Sequence, residues 1–305
     1  AIEMIDHALD EKKAELVKTG INEAKIYVRY MWDSDAGSMD KWIKYCTKQM
    51  QDNYVPLDQT LVWADTKTDR KNYSSKSLSY SMVQGEYPAW EKLVSTLYNE
   101  DEREKLEWAI GAITSGASVD IQKFVVLYGG PGTGKSTILN IIQDMFKGYW
   151  SVFDAKALGS NSDAFALEPF KTEPLIAIQH DGDLSKIEDN TRLNSLVSHE
   201  LMTVNEKFKS TYANRFKCFL FMGTNKPVKI TDGKSGLIRR LIDVSPSGNK
   251  LDPKEYKQIM SQINFELGAI ASHCLEVYLE DPGYYDDYVP LNMLGASNDF
   301  YNYVI

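Results

Sequence analysis

The 305-residue sequence has few cysteines, few histidines and no long apolar stretch. Its three cysteines, Cys46, Cys218 and Cys274, are odd in number and far apart, which excludes a disulfide framework and a cysteine-based metal site. No apolar run is long enough to cross a membrane, and the first residues show no secretory signal pattern. These absences predict a cytoplasmic protein with reduced cysteines and no membrane partner.

An excess of positive charge is also missing. The formal net charge is −9, which argues against a broad nucleic-acid-binding surface. Residues 203–240 are the exception, because they carry nine lysines and arginines against two acidic residues. An acidic chain with one basic segment is typical of a protein that binds a polyanion locally, for example inside a channel. The alternative is a solvated basic surface without a ligand.

Residues 129–137 read Gly-Gly-Pro-Gly-Thr-Gly-Lys-Ser-Thr and match G-x-x-x-x-G-K-[ST], the phosphate-binding loop motif. An apolar run at 124–128 predicts a buried strand before the loop, and apolar residues at helical spacing predict a helix after it. In this motif backbone N–H groups surround phosphate oxygens, the lysine reaches the β- and γ-phosphates, and the next hydroxyl binds Mg²⁺. The residues expected to bind ATP are Gly130, Pro131, Gly132, Thr133, Gly134, Lys135, Ser136 and Thr137, with Ser136 also binding Mg²⁺.

Two aspartates follow a second apolar run, at residues 175–178. A phosphate-binding loop requires an acid at the end of a neighbouring strand, where it holds Mg²⁺ and polarises water. Asp181 is therefore the candidate Mg²⁺ ligand, and Asp183 is the candidate general base or a partner of Asp181. Asp-Gly-Asp is also a common turn sequence, which is the structural alternative.

Polar residues also follow a third apolar run, at 218–222. Asn225 stands where parallel α/β sheets bind ligands, and its amide can orient the attacking water. The alternative is an Asn-Lys-Pro turn. Arg239 and Arg240 follow, and an arginine there can reach the nucleotide of a neighbouring subunit and stabilise charge in the transition state. The alternative for this pair is an ordinary exposed position.

These elements, in this order, resemble the superfamily 3 helicases, a branch of the AAA+ ATPases, and most of all the helicase part of phage and poxvirus primase–helicases. The resemblance runs from about Pro88 to Val289. It implies an α/β fold, an AAA+ P-loop core with a parallel sheet flanked by helices. One departure is Gly182, which separates two acids that are often adjacent in the family, so the base and the Mg²⁺ ligand stay unassigned between them.

The resemblance also implies partners. Family members form rings, usually hexamers, with ATP bound between subunits and a hairpin that holds single-stranded DNA in the pore. By position that hairpin falls within residues 203–216, where a basic and aromatic cluster suits phosphate contact and base stacking: Lys207, Phe208 and Lys209. The alternative is an exposed loop with incidental lysines. A primase or polymerase domain in the same longer chain is the other expected partner.

The helical and apolar patterns, together with what the resemblance implies, predict three regions. Residues 1–85 form a smaller, mainly helical region, a collar or a linker, in which residues 60–82 suggest a β-hairpin. Residues 86–250 form the AAA+ core with its helical lead-in, and residues 251–305 form a C-terminal helical segment.

The leading hypothesis is an ATP-dependent, ring-forming DNA helicase that translocates on single-stranded DNA in phage or viral genome replication, in the cytoplasm of the host cell. ATP and Mg²⁺ are its cofactors, and the expected catalytic residues are Lys135, Asp181, Asp183, Asn225, Arg239 and Arg240. A first alternative is an AAA+ remodelling or packaging ATPase, against which the basic pore cluster argues. A second is a monomeric P-loop kinase for small molecules, which has no use for arginines acting in trans. A third is a nucleotide-dependent switch or DNA-loading module with slow turnover.

Overall fold

The computed structural model describes residues 76–159, 165–185, 189–205, 211–228 and 236–297, and all structural statements below concern these residues. The chain divides into two compact units, Ala1–Ser77 and Leu78–Ile305. The predicted N-terminal region, including its β-hairpin, lies almost entirely outside the described residues. The boundaries at residues 85 and 250 stay predictions.

Two helices precede the sheet. Helix α1 spans Pro88–Leu97 and begins with proline, which is favourable in the first turn because that N–H would be unpaired anyway. Helix α2 spans Glu100–Ser115 and carries three acidic residues in its first turn, where they complement the helix dipole. It ends at Gly116, whose φ of 82° is a left-handed conformation that glycine adopts without strain. These helices match the helical lead-in expected from the sequence.

Seven strands lie within the described residues: β1 (Phe124–Tyr128), β2 (Trp150–Val152), β3 (Ile176–Gln179), β4 (Leu201–Val204), β5 (Tyr212–Arg215), β6 (Phe219–Thr224) and β7 (Leu241–Val244). Five of them form a parallel sheet in the order β2-β3-β6-β1-β7. All six residues of β6 are buried, as the near-continuous apolar run predicts for a strand that is covered on both faces. Strands β4 and β5 form a separate antiparallel hairpin, which overlaps the expected segment 203–216 but begins two residues earlier, at Leu201.

Five more helices connect and flank these strands: α3 (Lys135–Met145), α4 (Ala155–Leu158), α5 (Thr191–Val197), α6 (Pro253–Glu280) and α7 (Leu291–Ser297). The long helix α6 crosses α2 at close range, because a Cβ added to Gly111 would lie 1.9 Å from the Cys274 carbonyl oxygen. Only glycine allows the two backbones to approach this closely.

Helix α6 also holds the start of α1. The carboxylate of Glu266 on α6 accepts hydrogen bonds from the backbone N–H groups of Ala89 (3.0 Å) and Trp90 (3.1 Å). These donors have no partner inside α1, so the carboxylate satisfies groups that burial would otherwise leave unpaired.

The fold is therefore α/β, with a parallel five-stranded sheet flanked by helices, which confirms this part of the prediction. Cys218 and Cys274 are buried, which agrees with the core positions expected for them. Within the described part of the chain, no helix combines the length and the apolar character that a membrane crossing needs.

Candidate functional site

The glycine loop, residues 129–134, connects the end of β1 to the start of α3. Gly132 and Gly134 have φ values of 74° and 86°, which are left-handed conformations that favour glycine. Gly134 also packs closely, because a Cβ there would lie 2.6 Å from Cδ1 of Leu97 at the end of α1. The predicted arrangement of strand, glycine loop and helix is thus present.

The Lys135 side chain, in the first turn of α3, reaches back across this loop. Its Nζ donates hydrogen bonds to the carbonyl oxygens of Gly129 (2.7 Å) and Gly130 (2.8 Å) and to Oδ1 of Asn225 (2.8 Å). Burial lowers the pKa of Lys135, and the negative charge of Asp181 acts in the opposite direction. The lysine is 7% exposed, so its charge acts where solvent screens it little.

The glycine loop, Lys135 and Asn225 all lie at the carboxyl edge of the sheet, where the parallel strands end. Strand β6, which leads to Asn225, lies between β1 and β3. The chain runs from β1 to β2 and β3 on one side and later to β7 on the other, so β1 is a topological switch point. Ligands in open α/β sheets bind in the crevice at such a point. The order of the strands therefore explains how Lys135 meets Asn225.

The acid turn, residues 180–185, follows β3 and holds two aspartates in different surroundings. Asp183 forms an ion pair with Lys226 (2.5 Å) and accepts hydrogen bonds from the backbone N–H (3.0 Å) and the hydroxyl of Ser185. The hydrogen bond from Lys226, followed by those from Ser185, holds the pKa of Asp183 well below its ordinary value. The same ion pair raises the pKa of Lys226.

Asp181 is exposed and forms no hydrogen bond or ion pair with the described residues. Its negative charge nevertheless acts on both Lys135 and Lys226: it opposes the burial that lowers the pKa of Lys135, and it adds to the larger effect of Asp183, which raises the pKa of Lys226. Asp181 is thus the acid of this turn with open coordination positions, beside the cation of the glycine loop.

Close packing against β6 explains why a glycine separates the two acids. A Cβ at Gly182 would lie 2.3 Å from Sδ of Met222 in β6, and the Gly182 N–H donates to the Gly223 carbonyl oxygen (2.7 Å). A Cβ at Gly223 would in turn lie 2.6 Å from the His180 carbonyl oxygen. The acid turn therefore lies directly against β6, and any side chain at position 182 would have to displace the buried Met222 side chain.

The two predicted arginines have different environments. Arg240 is 5% exposed, and its guanidinium donates to Oγ of Ser198 and to the Gly236 carbonyl oxygen (2.7 Å). Arg239 is exposed and borders a pocket of about 640 Å³ that Lys123 and Asp286 also line. The two arginines thus differ: Arg240 is buried and hydrogen-bonded, whereas Arg239 faces solvent.

Both arginines precede β7 and lie at the amino edge of the sheet, because Leu241 pairs with Phe124, the first residue of β1. The glycine loop lies at the opposite edge. Five residues of β1, at about 3.3 Å each, separate the two edges by about 16 Å. Arg239 is therefore remote from the Lys135 of its own chain.

The predicted DNA-binding residues Lys207, Phe208 and Lys209 lie outside the described residues. The described strands of the hairpin carry exposed Tyr212 and Arg215.

Ser136, a predicted Mg²⁺ ligand, is exposed at the start of α3. No group of three or more His, Cys, Asp or Glu side chains in the described ranges could hold a metal ion.

Sequence reasoning missed the role of Lys226, the partner of Asp183. Its position directly after Asn225, at a strand end opposite an acidic turn, is the signal that could have identified it. It also missed Ser198, whose hydroxyl fixes Arg240, because no local pattern links residues 42 positions apart.

A family model described as a family of unknown function (DUF5906) matches residues 127–240, from the end of β1 to Arg240. No curated protein matches the chain. Among solved structures, the apo structure of the NrS-1 C-terminal region has a TM-score of 0.55 at 15% identity and covers 72% of this chain and 52% of that chain. The A form apo structure of the same region has a TM-score of 0.51 at 15% identity, with 73% and 54% covered.

At this identity the likeness shows a shared fold. The chain spans about half the length of the structures that it matches.

Proposed function

We propose that this chain is an ATP-hydrolysing, ring-forming helicase that translocates on single-stranded DNA in phage or viral genome replication. The observation that carries the proposal is the contact of Lys135 with Asn225, 90 residues apart in sequence, at a topological switch point of a parallel sheet. A glycine loop, a buried lysine and a strand-end amide are the groups that binding and hydrolysis of a nucleoside triphosphate need.

The acid turn supplies the carboxylate that the proposed site needs for Mg²⁺. An exposed carboxylate on Asp181, close enough to influence the pKa of Lys135, suits a hard cation that prefers oxygen ligands. Asp181 and the hydroxyl of Ser136 would hold Mg²⁺, which neutralises charge that develops on the phosphates. Asn225 would orient water toward the γ-phosphate, and Lys135 would exchange its bonds to loop carbonyls for bonds to phosphate.

Arg239 fits a role between subunits. It is exposed at the amino edge, about 16 Å from its own glycine loop by the length of β1, so it could reach only the nucleotide of a neighbouring chain. An arginine that acts in trans requires a head-to-tail interface, and such an interface generates a ring when its rotation closes. This supports a ring over a monomeric kinase.

The test is steady-state ATP hydrolysis with increasing single-stranded DNA, at several salt concentrations. We expect DNA to stimulate hydrolysis and Lys135→Ala to lower the rate at least about 100-fold, as loss of a charged group that stabilises the transition state does. The double variant Lys207→Ala/Lys209→Ala should keep basal hydrolysis and lose the stimulation, because the phosphate contacts are gone.

A matched control is Lys147→Ala/Lys156→Ala, which removes the same charge from exposed positions outside the hairpin. It should leave DNA stimulation unchanged. The helicase proposal fails if DNA has no effect at low ionic strength, where phosphate contacts are strongest. Basal hydrolysis that depends on Lys135 would then still support an ATPase acting on another substrate.

A further inference from the structure

The Asn225 turn, residues 224–228, is exposed at its tip and anchored at both ends. At its start, the Thr224 hydroxyl donates to the Lys226 carbonyl oxygen (2.9 Å) and accepts from the Lys226 N–H (3.0 Å). At its end, Val228 is fully buried. Because the Asn225 side chain is exposed, these two anchors, rather than packing around it, determine where its amide meets Lys135.

The partner of Val228 is a methionine sulfur. The backbone N–H of Val228 donates to Sδ of Met293 in α7 (3.1 Å), 65 positions further along the chain. Met293 is fully buried as well, so water does not compete for this N–H. A thioether is a weak acceptor, but a buried N–H without any partner costs free energy. The sulfur therefore fixes the end of the turn.

Strand β7 in turn holds Met293. The backbone N–H of Met293 donates to Oδ2 of Asp243 (3.1 Å), and the Tyr288 hydroxyl donates to Oδ1 of the same carboxylate. Asp243 is 1% exposed, and a buried carboxylate depends on such donors because it has lost its hydration. Lys105 of α2 donates to the Asp243 carbonyl oxygen (2.9 Å). The sulfur is thus fixed relative to β7 and to its neighbour β1, which leads into the glycine loop.

We propose that Met293 is a positioning residue for ATP hydrolysis, whose sulfur holds the Asn225 turn in place relative to the glycine loop. The proposal rests on the proposed function, in which Asn225 orients water toward the γ-phosphate. The turn follows β6 and the glycine loop follows β1, so sheet pairing joins them on one side. The path through Met293, Asp243 and β7 joins them on the other. Misplacement of a reacting group by about 1 Å can cost about 100-fold in rate.

The first test is Met293→Leu in the 305-residue chain. Leucine keeps an apolar side chain of similar volume, which cores tolerate well, and removes the acceptor of the Val228 N–H. We expect kcat for ATP to fall about tenfold, because a turn held at one end only is displaced by less than about 1 Å. KM for ATP should change less than about twofold, because the lost alignment acts on the reaction and not on phosphate binding.

The second measurement needs no turnover. Hydrogen–deuterium exchange of the peptide that contains Asn225 and Val228, without nucleotide, reports local opening of the turn. Exchange should be about fivefold faster or more in Met293→Leu, because a buried N–H that has lost its partner favours opening by at least that factor.

Met293→Gln separates positioning from stability. Its side-chain carbonyl can accept from the Val228 N–H at a similar reach, whereas its NH₂ group lies among apolar side chains and lowers stability. We expect slow exchange at the turn and most of the wild-type kcat to return, although thermal stability stays below that of the wild type. A residue that only stabilises the fold would give a kcat that follows thermal stability in both variants.

The matched control is Met145→Leu at the end of α3, which removes a sulfur from an equally buried position. It should keep the wild-type kcat and the wild-type exchange at the Asn225 turn. Unchanged exchange or unchanged kcat in Met293→Leu overturns the proposal, and so does a kcat that follows stability in both variants. A wild-type chain without ATP hydrolysis overturns the proposed function instead, and the exchange measurement, made without nucleotide, keeps the two failures apart.

Discussion

At the scale of single residues, the two aspartates of the acid turn have different surroundings although they are separated by one glycine. Asp183 is bonded to Lys226 and Ser185, and these bonds lower its pKa. Asp181 is exposed and acts on Lys135 through space. A ligand of the proposed Mg²⁺ needs free oxygen positions, and Asp181 has them, whereas the bonds of Asp183 suit a residue that fixes the turn.

This assignment predicts unequal effects of two matched substitutions. We expect Asp181→Asn to lower kcat for ATP about 100-fold or more, because the charge that would hold Mg²⁺ is lost. Asp183→Asn should lower kcat less than about tenfold, since an exposed ion pair contributes little. ATP hydrolysis at saturating Mg²⁺ and over a Mg²⁺ titration checks both. Equal losses in the two variants, or a larger loss for Asp183→Asn, would contradict the assignment.

At the scale of elements, the helices before the sheet support the glycine loop. Leu97 at the end of α1 packs against Gly134, and the carbonyl oxygen of Leu97 accepts from the backbone N–H of Ser247 (2.8 Å). The start of α1 is held by Glu266 of α6. Because α6 also crosses α2 at Gly111, the position of the loop depends on the packing of three helices.

The crossing of α2 and α6 gives a stability prediction. Gly111→Ala should lower the free energy of unfolding by about 3 kcal/mol or more, because the methyl group meets the Cys274 backbone and the helices must separate. Chemical denaturation checks this.

Gly85→Ala is the control for that substitution, because its Cβ would lie 3.8 Å from Cβ of Ala269, an ordinary contact. It should change stability by less than about 1 kcal/mol. Similar stability of the two variants would show that α2 and α6 do not pack as described.

At the scale of the whole molecule, the groups of the proposed site lie at two opposite edges of the sheet. The carboxyl edge holds Lys135, Asn225 and the acid turn, and the amino edge carries Arg239 and its pocket. If both edges serve one reaction, they must come from different copies of the chain. A head-to-tail assembly brings the amino edge of one copy to the carboxyl edge of the next.

This arrangement predicts complementation between two inactive variants. Arg239→Ala and Lys135→Ala should each lose most ATP hydrolysis when pure. Mixed in equal amounts, they should recover about a quarter of wild-type activity, because one in four random interfaces pairs an intact Lys135 with an intact Arg239. Activity measured across mixing ratios, with light scattering to follow assembly, checks this. No recovery from a mixture that assembles would exclude Arg239 as the trans residue.

The sequence by itself determined the local features of the fold, namely which segments form strands and helices. The continuous apolar run before the glycine loop predicted β1, because a strand that is buried on both faces is apolar at every position. The apolar residues at helical spacing after the loop predicted α3, because a helix that is buried on one face is apolar at every third or fourth position. The three short apolar runs predicted strands of a parallel sheet, and the polar residues after each run predicted where a site would form. The hairpin between β3 and β6 was expected only from the family resemblance.

Only the tertiary structure decided which of these residues meet. The contacts of Lys135 with Asn225, of Asp183 with Lys226 and of Arg240 with Ser198 join residues 90, 43 and 42 positions apart, and no local pattern specifies such pairs. They follow from the strand order, in which β6 lies between β1 and β3, and from the close approach that Gly182 allows. Sequence periodicity records which face of an element is buried, whereas the partner on that face is fixed by the packing of the whole chain.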